Sequence, residues 1–175
     1  MPAASRVAGG ESMHTLIYAI VPASTTDEAL AEARVVFDRL VGATAHSCPV
    51  FDYYVTFEET TSSVAGPARW GALPTAAPLD SETGTELLEQ GWDATKAEFQ
   101  RNLDRVKELL EEYDDDEILR NVEGVRHACH QLGAYRGPAI SLYDEHADGI
   151  REPAHLERLQ DEDVERWIVP ADVHF

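Results

Sequence analysis

The chain has 175 residues, 43% of them hydrophobic and 27% charged, and 33 acidic against 14 basic side chains give a net charge of −19. That length suits one domain, and the apolar fraction is enough to bury a core, which excludes global disorder. The longest apolar runs are too short to span a bilayer, and a deficit of Lys and Arg disfavours nucleic acid as a partner.

Residues 15–21, TLIYAIV, are apolar on both faces and predict a central strand covered on both sides, ended by Pro22. Thr25-Thr-Asp-Glu28 spells a capping box, and Leu30, Ala33, Phe37 and Leu40 follow at helical spacing until Gly42 closes the helix. Residues 51–57, FDYYVTF, alternate: Phe51, Tyr53, Val55 and Phe57 are expected on a buried face, Asp52, Tyr54 and Thr56 on a polar one. Residues 58–79 form a long loop rich in Pro, Gly, Ser and Thr that carries Trp70, of a length that points to a functional or mobile segment. A second capping box, Thr83-Gly-Thr-Glu86, opens the longest helix, to about Tyr113. Along it Trp92, Phe99, Val106 and Tyr113 recur every seven residues, with Leu103 and Leu110 between them.

Asp114 to Glu117 restart a helix that Gly133 ends, with Ile118, Val122, Val125, Cys129 and Leu132 on one stripe. A short strand at 139–143, a helix at 153–160 with Pro at its first position, and a last strand at 167–175 complete the chain. Pro170 inside that strand predicts an edge position or a bulge. The order predicts one α+β domain over 13–175. A single-layer sheet of about four strands, with a β-α-β start of ferredoxin-like type, would pack against the long amphipathic helix and further helices. The first two strands should form a right-handed parallel crossover pair. No internal repeat or linker divides the chain.

The acidic residues are spread over the whole length, and Lys96 and Lys107 are the only lysines. At molar salt the Debye length falls to about 3 Å, so such a surface is screened and can hold hydrated cations. In composition the chain resembles proteins of salt-in halophilic archaea; the resemblance covers the whole length and implies salt adaptation, not an activity. Cys48 and Cys129 are too few for a disulfide framework or a zinc knuckle, so a reducing cytoplasm is the simplest compartment. Residues 1–12 are small and polar without a signal-peptide core; Met13 is the expected start, and the leading dozen a disordered extension or a leftover of expression.

The chemistry-bearing residues form three groups. His127 and His130 flank Cys129, but helical geometry puts His127 opposite the apolar stripe and Cys129 within it. They are weak metal candidates that would need a carboxylate from elsewhere, and Cys129 reads as a buried small hydrophobe. His46 and Cys48 resemble a base and a nucleophile without an orienting group. The polar strand faces are more promising. Asp52, Tyr54 and Thr56, then Ser141 and Tyr143, then Asp172 and His174 converge if helices cover only the other face. The open side would then carry an apolar stripe from the first strand, covered by a second subunit, by the Trp70 loop, or left open as a ligand site. Tyr135 and Arg136, at the exit of a helix, are further binding candidates or turn filler.

No glycine pattern fits a phosphate or dinucleotide loop, and no cofactor is implied. The sequence therefore predicts a salt-adapted cytoplasmic interaction or accessory protein without catalysis, homodimeric, of the kind found in archaeal cells and their viruses. The alternative is a small enzyme or ligand-binding domain on the polar sheet face, metal-dependent if the histidines serve. In it His174 is the base, Asp172 its orienter and the Trp70 loop a lid. A nucleic-acid role would need Arg101, Arg105 and Arg120 to form a local patch.

Overall fold

A computed structural model of the chain describes residues 14–44, 49–58, 62–134, 138–161 and 163–175. Its elements are β1 (His14–Pro22), α1 (Thr26–Leu40), β2 (Tyr53–Thr56), α2 (Pro67–Trp70), β3 (Ala77–Pro78), α3 (Glu82–Glu112), α4 (Asp115–Arg120), α5 (Val122–Ala134), β4 (Ile140–Tyr143), α6 (Pro153–Asp161) and β5 (Arg166–His174). The fold is α+β around a five-stranded mixed sheet of order β2-β5-β1-β4, with β3 also paired to β5. β1 pairs with β5 antiparallel along its whole length, from His14 opposite His174 to Pro22 opposite Arg166, and with β4 in parallel. β1 and β2 do run the same way, as a β-α-β start requires, but β5 lies between them, so they are not the expected neighbouring pair. Length and apolarity explain the insertion. β5 matches the nine residues of β1 and is buried along almost all of it, whereas four-residue β2 suits an edge.

Alternation along β1 divides the core in two. Ile17, Ala19 and Val21 pack under α1 with Ala33, Val36, Phe37 and Leu40. Leu16, Tyr18 and Ile20 pack on the opposite side with Leu87 and Leu88 of α3 and Leu156 and Leu159 of α6. Both sheet faces are therefore covered by the chain's own helices, and the expected open face with an uncovered apolar stripe does not exist. The segment before α3 contributes too: Leu73, Ala77 and Leu79 join the α3-side core, while Trp70 stays 36% exposed beside Arg69.

Local details follow the same logic. Thr25 caps α1 through the Glu28 N–H, and Gly42 leaves the helix at φ 72°, a left-handed conformation that glycine adopts without strain. The cap of α3 is Ser81, accepting from the Gly84 N–H, not the predicted Thr83 box. Pro170 lies inside the sheet rather than at an edge. β2 ends opposite Ala171 and β3 begins opposite Ile168, so the proline faces the gap between those two short partners. The predicted alternation of 51–57 holds at its ends, where Phe51 and Phe57 are buried and Asp52 is exposed, but fails within β2: Thr56 is fully buried, Tyr54 packs on Phe37 with ring centroids 5.2 Å apart, and Tyr53 is 41% exposed. The departure arises because both sides are covered: Tyr54 and Thr56 lie on the side of α1, while Phe57 joins the α3-side core.

α3 is 31 residues long, about 46 Å at 1.5 Å per residue. Its first half lies on the sheet, where Gly91 allows Leu142 to approach closely. Its second half packs against α5, which folds back along it after the short α4. The predicted single helix from Asp114 to Gly133 is thus two, broken at Asn121, with a complete capping box between Asp114 and Glu117. Leu109 and Ala128 are buried in this arm but belong to neither sheet core. Cys129 is exposed, which corrects its reading as a core residue.

Candidate functional site

The antiparallel β1–β5 register sets His14 directly opposite His174, with Tyr53 of β2 next in line. Asp172 lies two residues back on the same face, completely buried. Its carboxylate accepts from the Gly66 N–H at 2.8 Å and from His14 Nδ1 at 3.0 Å. A buried carboxylate needs such donors, since desolvation otherwise disfavours its charge. With Nδ1 donating to Asp172, the Nε2 of a neutral His14 faces the Tyr53 hydroxyl at 3.5 Å. Asp172, His14 and Tyr53 thus form a chain leading from the interior to the surface.

His174 completes the cluster. Its Nδ1 meets Asp52 Oδ2 at 3.1 Å, and its ring stacks on Tyr53 at 5.0 Å and meets His14 edge-on at 4.9 Å. The pairing predicted from sequence, Asp172 orienting His174, is replaced by Asp172–His14 and Asp52–His174. Chemically the arrangement resembles a base oriented by a carboxylate and facing a phenol, a geometry for moving a proton.

The other expected members are elsewhere. Tyr54 donates to Asp38 Oδ1 of α1 at 3.0 Å, and Thr56, Ser141 and Tyr143 share that α1 side of the sheet, opposite Asp172 and His174. Tyr143 is buried, and that burial pushes its phenol above the usual range. The seven polar side chains therefore split between two faces instead of converging. Sequence reasoning missed His14 and Tyr53, because their roles depend on a strand order that no local pattern encodes. His46, Cys48, Tyr135, Arg136 and residues 1–13 lie outside the described residues.

The far end of the sheet carries a second polar cluster. Asp144 accepts the N–H groups of His146 and Asp148, both at 2.9 Å, and contacts His155 Nε2 at 3.0 Å. It fixes the turn after β4, where Ala147 sits at φ 65°. In the arm, Asn102, Arg105, Leu109, Gly124, His127, Ala128 and Gln131 line a cleft of about 310 Å³. His127 and His130 are both exposed, and among the described residues no group of three or more His, Cys, Asp or Glu side chains is placed to hold a metal ion. Arg101 and Arg105 of the suggested basic patch are ion-paired to Glu98 and Glu108. Among the described residues no helix is long and apolar enough to cross a membrane.

A family model, described as a domain of unknown function, DUF7995, matches residues 13–175, and the chain belongs to that family. No curated protein and no solved structure matches it.

Proposed function

We propose that this DUF7995 member is a salt-adapted accessory protein that acts in the cytoplasm through protein contacts, without catalysis, and as a homodimer. The observation that carries the reading is the arm built from the second half of α3, α4 and α5. The sheet's two faces are sealed by the chain's own helices, whereas on the arm Leu110 (55%), Tyr113 (43%), Leu119 (79%) and Val122 (40%) stay exposed. Several exposed apolar side chains along one helical element mark an interaction surface, although Val35, Val50, Val64, Val164 and Phe175 are exposed elsewhere. The test is the solution mass by light scattering in molar KCl, with metal content read on the same peak. A dimer without metal is expected; a monomer carrying stoichiometric metal would overturn the reading.

A second reading, a small ligand-binding or proton-transferring domain, is favoured by one observation: the Asp172–His14–Tyr53 chain that ends at the surface. It predicts that a small-molecule library produces a saturable shift of the His14 and His174 ring resonances. It also predicts that Tyr53→Phe abolishes the response without changing the fold. Resonances that stay fixed across the library would remove it.

A further inference from the structure

Two helices that fold back on each other ordinarily close on an apolar seam. Where α5 returns along the second half of α3, the seam is polar instead. Asn102 and Arg105 occupy it from α3, His127 and Gln131 from α5, and its apolar part is Leu109 and Ala128, both buried. The apolar residues of this stretch of α3, Phe99, Leu103, Val106 and Leu110, stand one position further round and are half-buried or exposed. The seam does not close: it holds the cleft of about 310 Å³, a volume within the range of small-molecule sites.

Gly124 is a second observation at the same place. It lines the cleft from the first turn of α5, its φ is not positive, and a Cβ built on it meets no atom within 4 Å. Gly84 and Gly91 differ, because a Cβ there would collide with Pro78 or Leu142. Gly133 is equally unhindered, but it stands near the end of α5, where glycine is common. Glycine carries an entropic cost that any side chain would reduce, and folding gives no reason for it at 124. What its missing side chain does is leave one wall of the cleft open.

Carboxylates surround the cleft, but none lines it, and those on the two helices are engaged. Glu98 accepts from Asn102 Nδ2 at 2.7 Å and is ion-paired to Arg101, and Glu123 pairs with Arg126 at 3.3 Å. Glu108 meets Arg105 Nη1 at 3.2 Å, both side chains being exposed, and such a pair contributes little and exchanges readily. The acidic run 111–117 begins just beyond Leu109 and would repel an anion at a distance. At molar salt its field is screened within about 3 Å, so the groups that touch a ligand decide which charge is accepted.

Those groups are a guanidinium, an imidazole and two carboxamides beside the apolar surface of Leu109 and Ala128. A guanidinium fork takes a carboxylate through two parallel hydrogen bonds, and the imidazole and carboxamides supply further N–H donors. We propose that the cleft between α3 and α5 binds a small organic carboxylate with a compact apolar body. Its carboxylate replaces Glu108 on Arg105, and its hydrocarbon part lies on Leu109 and Ala128. This site is independent of the interaction surface and of the Asp172–His14–Tyr53 chain.

The test follows the His127 ring resonances of the full chain in molar KCl during titration with benzoate. A saturable shift is expected while the His14 and His174 resonances stay fixed. Benzyl alcohol, which has the body without the charge, and acetate, which has the charge without the body, bind roughly tenfold more weakly or worse. Arg105→Gln, at an exposed position, weakens benzoate binding by roughly tenfold or more, whereas Lys107→Gln makes the same charge change on the same helix and leaves it unaltered. Gly124→Leu fills the cleft and abolishes the shift; should its circular dichroism spectrum change, the Arg105→Gln comparison decides. A His127 ring that benzoate does not move, an equal response to benzyl alcohol or inorganic phosphate, or equal losses in Arg105→Gln and Lys107→Gln overturns the proposal.

Discussion

His14 and Asp172 stand 158 positions apart in sequence and meet at 3.0 Å, tying the start of β1 to the end of β5. The same carboxylate holds the Gly66 N–H, so one buried side chain fastens two strands and the loop leading into α2. Asp172→Ala leaves both donors without their acceptor in a buried site, which costs about 3 kcal/mol. Asp172→Asn keeps an acceptor oxygen and loses less. Urea midpoints in molar KCl check the ranking; equal midpoints for the two variants would contradict it.

Thr56 gives the opposite case. Its side chain is fully buried and its hydroxyl has no hydrogen-bond partner among the described residues. Replacing it with the near-isosteric valine removes an unsatisfied polar group, so Thr56→Val raises stability by about 1 kcal/mol. A lower urea midpoint would show that the hydroxyl is satisfied.

What could be read from sequence divides along physical lines. β1 was legible because an apolar run on both faces has few alternatives, and α1 because Thr25 and the Leu30–Phe37 stripe agree. The length of α3 followed from its sustained spacing. Strand order was not legible: β5 inserts between β1 and β2 because it matches β1 in length and burial, a choice made by the whole sheet. The site failed for the same reason. Asp172 and His174 do share a face, as a two-residue period requires, but aligning that face with Tyr54 or Tyr143 needs the register between strands. The uncovered face was predicted because sequence gives no direction to α3 and α6, which pack opposite α1.

Gly91 sits against Leu142, and a Cβ at this position would overlap the leucine side chain. Gly91→Ala therefore forces α3 away from β4 or Leu142 off its rotamer, at a cost of about 1–3 kcal/mol. Leu142→Ala alone leaves a cavity and costs about 2–5 kcal/mol. The double variant fills part of that cavity with the new methyl group, so its loss is smaller than the sum. Additive losses in a double-mutant cycle would contradict this packing.

The charge makes its own prediction. Near 0.01 M salt the Debye length reaches about 30 Å, and the net charge of −19 repels itself across the whole molecule. Transfer from molar KCl to dilute buffer is expected to unfold the chain. An unchanged circular dichroism spectrum would sink the salt-adaptation reading while leaving the fold untouched.

Tyr18 sets the alkaline limit. It is fully buried in the centre of β1 on the α3 side, its hydroxyl 3.4 Å from Gln90 Oε1, and burial pushes its phenol up from 10.0 to about 12. Below pH 10 the phenol is protonated whether the chain is folded or unfolded, so its contribution is intact. Between pH 10 and 12 only the unfolded chain releases the proton, and stability falls by about 1.4 kcal/mol per pH unit, roughly 2–3 kcal/mol in all. Above that range both states ionise and the loss stops growing. Burial moves Tyr143 in the same direction, so Tyr18→Phe should flatten the decline in part rather than abolish it. Urea titrations between pH 9 and 12 compare the two chains; parallel declines would mean that the Tyr18 phenol ionises as readily in the folded chain as in the unfolded one.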